Sequence, residues 1–265
     1  VIAIFSEGEP VGHISSGQHG EIVLDFTPFY AEGGGQVGDS GTITGNSFSA
    51  RVNNTVRVSD SVLVHDVTIL EGDINVGDKV KASVDETVRC ATARNHTATH
   101  LLHAALRSVL GDHVLQAGSY VSHDRLRFDF SHHSPVSDSE LCKVENMVTK
   151  WVLDDLNVKA ETMPISEARK IGAIALFGEK YGSNVRVVRI DDVSAEFCGG
   201  THVQRTGQIG LVKIISESPV AAGIRRIEAV TGTGVLAYIR SNEGILNDTT
   251  GILKCVRGEI PDRVL

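Results

Sequence analysis

No stretch of the 265 residues stays apolar for the roughly 18 positions that a membrane-spanning helix needs. The opening Val1 to Phe5 is apolar but has neither a basic leader nor a cleavage site, which argues against a signal peptide. It also lacks an initiator Met, so the chain is expected to be a piece of something longer or a processed product. Cysteine is scarce: Cys90, Cys142, Cys198 and Cys255 lie far apart and form no Cys-x-x-Cys pair. Few, scattered thiols argue against a disulfide framework and for a reducing, cytoplasmic setting. An excess of basic charge is missing too, with 25 Lys and Arg against 33 Asp and Glu, a net charge of −8. Generic nucleic-acid binding relies on many cations neutralising phosphates, so any such contact must be local. Internal repeats and low-complexity segments are absent.

What is present has the balance of a soluble globular protein, 41% apolar and 22% charged residues. The expected fold class is α+β. Residues 1–88 read as β-rich, with short segments at 21–26, 48–52, 62–70 and 79–84 separated by Gly, Asn and Asp turns, and they suggest a small β-barrel. Residues 89–233 read as an α/β two-layer domain. A helix is expected over 86–111 and another over 137–157, capped by Asp138 or Ser139, with strands at 121–131, 184–190, 207–216 and 224–230. Residues 234–265 read as a short helical C-terminal tail. There Ile239, Leu246, Leu253 and Ile260 recur every seven positions, interrupted by Gly244, Gly251 and Pro261, as at the start of a coiled coil.

Two residue pairs carry metal-ligand chemistry. His96 and His100 are four apart, so on a helix they share a face, with His103 and Arg107 continuing the stripe and Ala98, Leu101, Leu102 and Ala105 opposite. Alone, such a pair fits a solvated polar face equally well. The second pair is Cys198 and His202, separated by Gly199-Gly200-Thr201, where two glycines let the backbone fold closely around an ion. Thiolate and imidazole together suit Zn²⁺. Four protein ligands usually mark a closed structural zinc, whereas catalytic zinc keeps a position open. A peptidase of the H-E-x-x-H kind is excluded, because Thr97 stands where its Glu base would be.

The set Asn95-His96-Thr97-Ala98-Thr99-His100 and Cys198-Gly199-Gly200-Thr201-His202, preceded by Thr27-Pro28-Phe29-Tyr30-Ala31-Glu32-Gly33-Gly34-Gly35-Gln36, resembles the editing domain of alanyl-tRNA synthetases. Free-standing alanyl-tRNA editing proteins and the threonyl-tRNA synthetase editing domain are related, and the threonyl domain carries the same two pairs. The glycine-rich loop points to the alanyl type; Gly33 stands where that family more often has Ser. Leu115-Gln116-Ala117-Gly118-Ser119 and Gly223-Ile224-Arg225-Arg226 also match, and the resemblance runs through about residues 20 to 235.

The resemblance implies a zinc-dependent hydrolase that removes Ser or Gly from mischarged alanine tRNA. It implies His96, His100, Cys198 and His202 as zinc ligands and Gln116 as a polar residue near the scissile ester. Thr27 would discriminate the serine hydroxyl. Gly33, Gly34, Gly35 and Gln36 would present backbone N–H groups to substrate, Arg225 and Arg226 would meet the RNA, and His103 would orient a ligand from one turn away. Aminoacylation and C-terminal domains would flank this piece in a full-length synthetase, so the piece itself should deacylate tRNA without charging it. A structural-zinc tRNA-binding module without catalysis, and a threonyl-type editor of serine on threonine tRNA, are the alternatives.

Overall fold

A computed structural model describes residues 1–59, 62–175 and 181–264. The first part is all strand: β1 (Ala3–Ser6), β2 (Glu9–Val11), β3 (His13–Ser15), β4 (His19–Val23), β5 (Gly41–Thr44), β6 (Ser49–Ser59), β7 (Val62–Glu71), β8 (Asp73–Asn75) and β9 (Lys81–Val84). Seven of these form one antiparallel sheet in the order β2-β1-β4-β7-β6-β5-β9, and β3 pairs with β8. Alternation along β4, β6 and β7 sends Ile22, Ala50, Val52, Val67 and Ile69 into one apolar core with Ile4, Ile14 and Ile43. Hydrogen bonding runs from β2 to β9 and does not join them, so among the described residues the sheet is open where a barrel was expected. At the β2 end, a three-residue strand containing Pro10 pairs on one side only, as suits an edge, because proline has no N–H to donate.

Helix α1 (Glu86–Leu110) begins inside the expected first domain. Asp85 Oδ1 caps it, accepting from the N–H groups of Thr87 at 2.9 Å and Val88 at 3.1 Å, and Gly111 ends it with a φ of 116°. There follow β10 (Gln116–Val121), β11 (Leu126–Ser131), α2 (Asp138–Leu153), β12 (Val158–Pro164), α3 (Ile165–Lys170), β13 (Asn184–Ile190), β14 (Ser194–Phe197), β15 (Val212–Ala221), β16 (Ile224–Thr231), α4 (Thr233–Leu253) and α5 (Ile260–Val264). The strands form a four-stranded sheet, β10-β11-β16-β15, and a three-stranded one, β12-β13-β14, with every named pairing antiparallel. Helices α1 and α2 pack on the four-stranded sheet through Leu101, Leu102 and Leu106, Val144 and Val148, and Phe128, Phe130 and Ile227. Truncating one of these buried leucines, as in Leu101→Ala, costs about 2–5 kcal/mol.

Several boundaries differ from expectation. The strand expected over 121–131 is a hairpin: Ser122 N–H donates to Arg125 O at 3.0 Å and turns the chain between β10 and β11. Ser137, not Asp138 or Ser139, caps α2, exchanging hydrogen bonds with Glu140 in a capping box. That helix stops at Leu153 because Asp155 takes a left-handed φ of 50°. The strand expected over 207–216 starts later, after a 3-10 turn at Thr206–Ile209. Helix α4 runs through Gly244 to Leu253, with Ile245 and Ile252 exposed. No helix among the described residues is long and apolar enough to cross a membrane.

The two parts of the chain are stitched together at residues 30–40. Val37 N–H donates to Val121 O at 3.0 Å and Val121 N–H to Gly35 O at 2.8 Å, so this loop extends the edge at β10. Gly35 has a φ of +82°, and a Cβ there would collide with Ser119 O. Arg89 on α1 reaches back to Pro28 O at 2.8 Å and pairs with the buried Asp39.

Candidate metal centre and its cavity

Both faces of α1 are buried between Thr92 and Leu106, so the imidazole stripe is not a solvated front. Its polar side chains are satisfied internally. Thr92, Thr97 and Thr99 donate to the carbonyls of Val88, Ala93 and Asn95 one turn back, at 2.9–3.0 Å. Asn95 ties the helix to both flanking segments, donating to Ser122 O at 2.8 Å and accepting from Thr231 Oγ1 at 2.7 Å.

Cys198 follows β14 directly, and its loop is folded back onto α1. Arg186 on β13 donates to Cys198 O at 2.7 Å and Gly200 O at 2.9 Å. Gly200 must be glycine, because a Cβ would overlap the His96 ring. The result gathers His96, His100, Cys198 and His202, with one donor atom of each inside 4.8 Å of all the others. Cys198 Sγ lies 3.3 Å from His96 Nε2 and 3.2 Å from His202 Nε2.

The outer nitrogens are held from behind. His96 Nδ1 is 2.7 Å from Gln36 Oε1, and His202 Nδ1 is 3.1 Å from Thr97 Oγ1. His100 Nδ1 is 2.9 Å from Glu196 Oε2, at ion-pair distance but off line for a hydrogen bond. Glu196 also meets His103 Nδ1 at 3.1 Å, so His103 acts on the ligands through Glu196. Polar partners on Nδ1 fix the tautomer and turn each Nε2 inward, the arrangement metal-ligating histidines adopt. His100 Nε2 is buried and makes no acceptable hydrogen bond. An orphaned ring nitrogen beside a thiolate and two imidazoles fits a borderline-soft divalent ion such as zinc.

The electrostatics favour a thiolate at the centre. Burial opposes the Cys198 thiolate, but the His96 charge and the contacts of the surrounding imidazoles outweigh it and bring the thiol down to about 2. Burial and the His96 charge press His202 down to about 3, leaving it neutral. Burial opposes the charge on His100, yet Glu196 and Cys198 overcome it and lift that imidazole to about 10. Glu196 in turn stays ionised despite its burial, held well below the usual carboxylate range by His100 and His103.

The centre forms one wall of a cavity of about 390 Å³ whose other walls include Gly34, Thr99, Gln116, Ser119 and Arg169. Gly33, Gly34 and Cys198 line a second, smaller cavity of about 250 Å³.

Comparison with known proteins bears on what this cavity is for. Residues 1–88 match the family described as tRNA synthetases class II (A), and residues 185–228 match the threonyl and alanyl tRNA synthetase second additional domain. Over 264 residues, all of this chain, it is 51% identical to the alanine–tRNA ligase of Carboxydothermus hydrogenoformans. It is 50% identical to that of Thermoanaerobacter pseudethanolicus and 49% to that of a Polaromonas species over the same length. The chain belongs to the alanyl-tRNA synthetase family. It spans about 30% of the length of these relatives.

Within this alanyl-tRNA synthetase segment, the fold brings together the two ligand pairs and sets Gln116 and Gly34 on the same cavity. Other expected residues have different surroundings. Thr27 lines neither cavity; its Oγ1 is 2.7 Å from Nε2 of the buried His65 and accepts Phe29 N–H at 3.2 Å. Gln36 turns its side chain to the ligands, accepting from Thr201 N–H at 2.9 Å and donating to Thr201 Oγ1 at 3.0 Å. Gly35 packs its backbone on β10 instead of facing the cavity. Arg225 and Arg226 are both consumed in two-pronged ion pairs, with Glu217 at 2.5 Å and with Asp129 at 2.7 and 2.8 Å. Each pair uses Nε and Nη2 of its guanidinium. Sequence reasoning missed Glu196, Arg186, Thr99 and Arg169. Thr99 alone had a local signal, being one turn beyond Asn95 between the two ligand histidines.

Proposed function

We propose that this chain is the editing region of its synthetase and hydrolyses the ester joining serine or glycine to the terminal adenosine of alanine tRNA. One juxtaposition supports the reading: four side chains that could hold a metal ion stand beside a cavity that Gln116 and Thr99 also line. An alanine pocket cannot exclude the smaller glycine by size and rejects an added hydroxyl only weakly, so a second, hydrolytic site supplies the discrimination. Zinc held by His96, His100, Cys198 and His202 would polarise the ester carbonyl or lower the pKa of a bound water.

The chain's own residues do the rest. Gln116, at the start of β10, offers both an amide donor and a carbonyl acceptor to the ester and the attacking water. Thr99 Oγ1 gives its hydrogen to Asn95 O at 2.9 Å, so only its lone pairs remain for the cavity. They accept from a serine hydroxyl, and the methyl group of alanine has nothing to donate. The discrimination expected of Thr27 therefore falls to Thr99. Gly34 leaves the entrance clear of side chain. Arg169 is exposed on the cavity wall and makes no side-chain hydrogen bond or ion pair among the described residues, so it is the cation we assign to a phosphate of the CCA end. In this reading the substrate is mischarged alanine tRNA in the cytoplasm, and aminoacylation and C-terminal domains are covalently attached in the full-length protein.

Four protein ligands favour one rival, a closed structural zinc on a tRNA-binding module without catalysis. Incubating the chain with seryl-, glycyl- and alanyl-charged alanine tRNA, with and without chelator, separates the two. Chelator-sensitive loss of Ser and Gly with Ala spared is expected. Retention of all three esters, with zinc tightly bound, would establish the rival. Seryl-charged threonine tRNA alongside distinguishes a threonyl-type editor.

A further inference from the structure

A second group of imidazoles lies apart from the four ligands. The loop between α1 and β10 supplies His113, and the segment after β11 supplies His132 and His133; one ring nitrogen of each lies within 4.8 Å of the other two. His113 Nε2 is 2.9 Å from His132 Nδ1. The ring centroids are 5.1 Å apart for His113 and His132, 5.9 Å for His113 and His133, and 4.8 Å for His132 and His133. Two nitrogens bound to one ion at about 2.0–2.1 Å each sit roughly 3 Å from each other, so the closest pair already has chelating spacing.

The backbone beneath these rings is anchored. His132 N–H donates to Gly223 O at 2.9 Å, Ser131 Oγ donates to His113 O at 2.6 Å, and Leu115 N–H donates back to Ser131 Oγ at 2.9 Å. His132 is 8% exposed and forms the floor, with His113 and His133 exposed on either side. Apart from burial, the groups acting on the charge of His132 are His133 and His113, which oppose a cation, Glu140, which favours one, and Arg225, whose charge Glu217 offsets. Three imidazoles select zinc, copper or nickel over magnesium or calcium, and three ligands leave positions open to water.

We propose that His113, His132 and His133 form a second binding site for a divalent transition-metal ion, independent of the Cys198 centre and of the deacylation reading. Binding takes the proton shared between His113 and His132 off the facing nitrogens; the ring that carried it is protonated on its other nitrogen by exchange with solvent, so each histidine stays a neutral ligand. The site also pins the loop that leads, three residues on, into Gln116.

Calorimetric titration of the as-purified chain with Zn²⁺ tests this, with the metal it already retains measured beforehand. Wild type is expected to take up one further equivalent per chain. His133→Ala should weaken that uptake at least tenfold, and the double variant His113→Ala/His133→Ala should abolish it. Both side chains are exposed, so circular dichroism and the retained metal should not change. Absence of a further equivalent in wild type would overturn the proposal. So would a further equivalent of undiminished affinity in the double variant, which would place it on other surface histidines.

Discussion

Each half of the molecule buries histidine among polar groups, and the two halves do it differently. His65 on β7 is fully buried, with Nδ1 2.9 Å from Ile22 O and Nε2 2.7 Å from Thr27 Oγ1. Both nitrogens are satisfied, both partners belong to the β-rich part, and burial holds its pKa below the usual value, so it stays neutral. His100 on α1 is 6% exposed, but its outer nitrogen faces a carboxylate and its inner nitrogen has no acceptable hydrogen bond. Its neighbours Glu196 and Cys198 come from almost a hundred residues away. A buried histidine with two satisfied nitrogens is a crosslink. One with a braced outer nitrogen and an orphaned inner one, beside a thiolate, is built as a ligand.

The comparison breaks most sharply with Cys198→Ala against His65→Gln. The first should lose stoichiometric zinc, read by elemental analysis, and lower deacylation by more than the roughly 10–100-fold typical of changes behind a ligand. The second should keep zinc and rate while unfolding at lower temperature. Zinc loss in His65→Gln would erase the distinction between crosslink and ligand. Next in size is Glu196→Gln, which keeps the shape but removes the charge behind His100. Metal affinity should fall about 10–100-fold in a chelator competition. Unchanged affinity would mean that Glu196 braces only His103.

These contrasts also explain which parts of the site were legible in the sequence. His96 with His100 and Cys198 with His202 are pairs four residues apart, so helix periodicity and a tight glycine turn are enough to find them. Glu196, Gln36 and Arg186 are defined by contacts across strands and loops, and no local pattern announces which buried polar residue will face which ring. For the adjacent Arg225 and Arg226, the sequence is silent about their partners Glu217 and Asp129 across the sheet. Asp129 pairs directly with Arg226 in the β11–β16 register, so the two-pronged contact follows from strand pairing alone. Of the fold, the long helix α1 and strand β13 were legible from end to end. The β10–β11 hairpin was not, because Ser122-His123-Asp124 interrupts the strand without a glycine or proline to mark the turn.

The two threonines sharpen the comparison at smaller scale. Thr99→Val removes an acceptor from the cavity and keeps the volume. It should lower serine removal relative to glycine removal by about 3–10-fold, the equivalent of one net hydrogen bond of about 0.5–1.5 kcal/mol. Thr27→Val should leave that ratio alone and instead strand Nε2 of His65, destabilising the fold by about 1–3 kcal/mol in a denaturant titration. If Thr27→Val moved the ratio and Thr99→Val did not, the two roles would have to be exchanged.

The smallest effect is in the pH dependence of the crosslink. The folded pKa of His65 lies below its unfolded value of about 6.5, because burial disfavours the charged ring more than the Ile22 hydrogen bond supports it. Above about 6.5 the ring is neutral in both states and its contribution to stability is complete. As pH falls below that value the unfolded chain takes up a proton that the folded chain refuses, so stability declines toward the folded pKa. One such group contributes a slope of at most about 1.4 kcal/mol per pH unit. Other histidines titrate in the same window, so the informative quantity is the difference between wild type and His65→Gln. Thermal unfolding at several pH values between about 7.5 and 5.5 should show wild type losing more of its stability than the variant. Parallel curves would mean that protonated His65 is accommodated where it stands, with Thr27 Oγ1 turning from donor to acceptor.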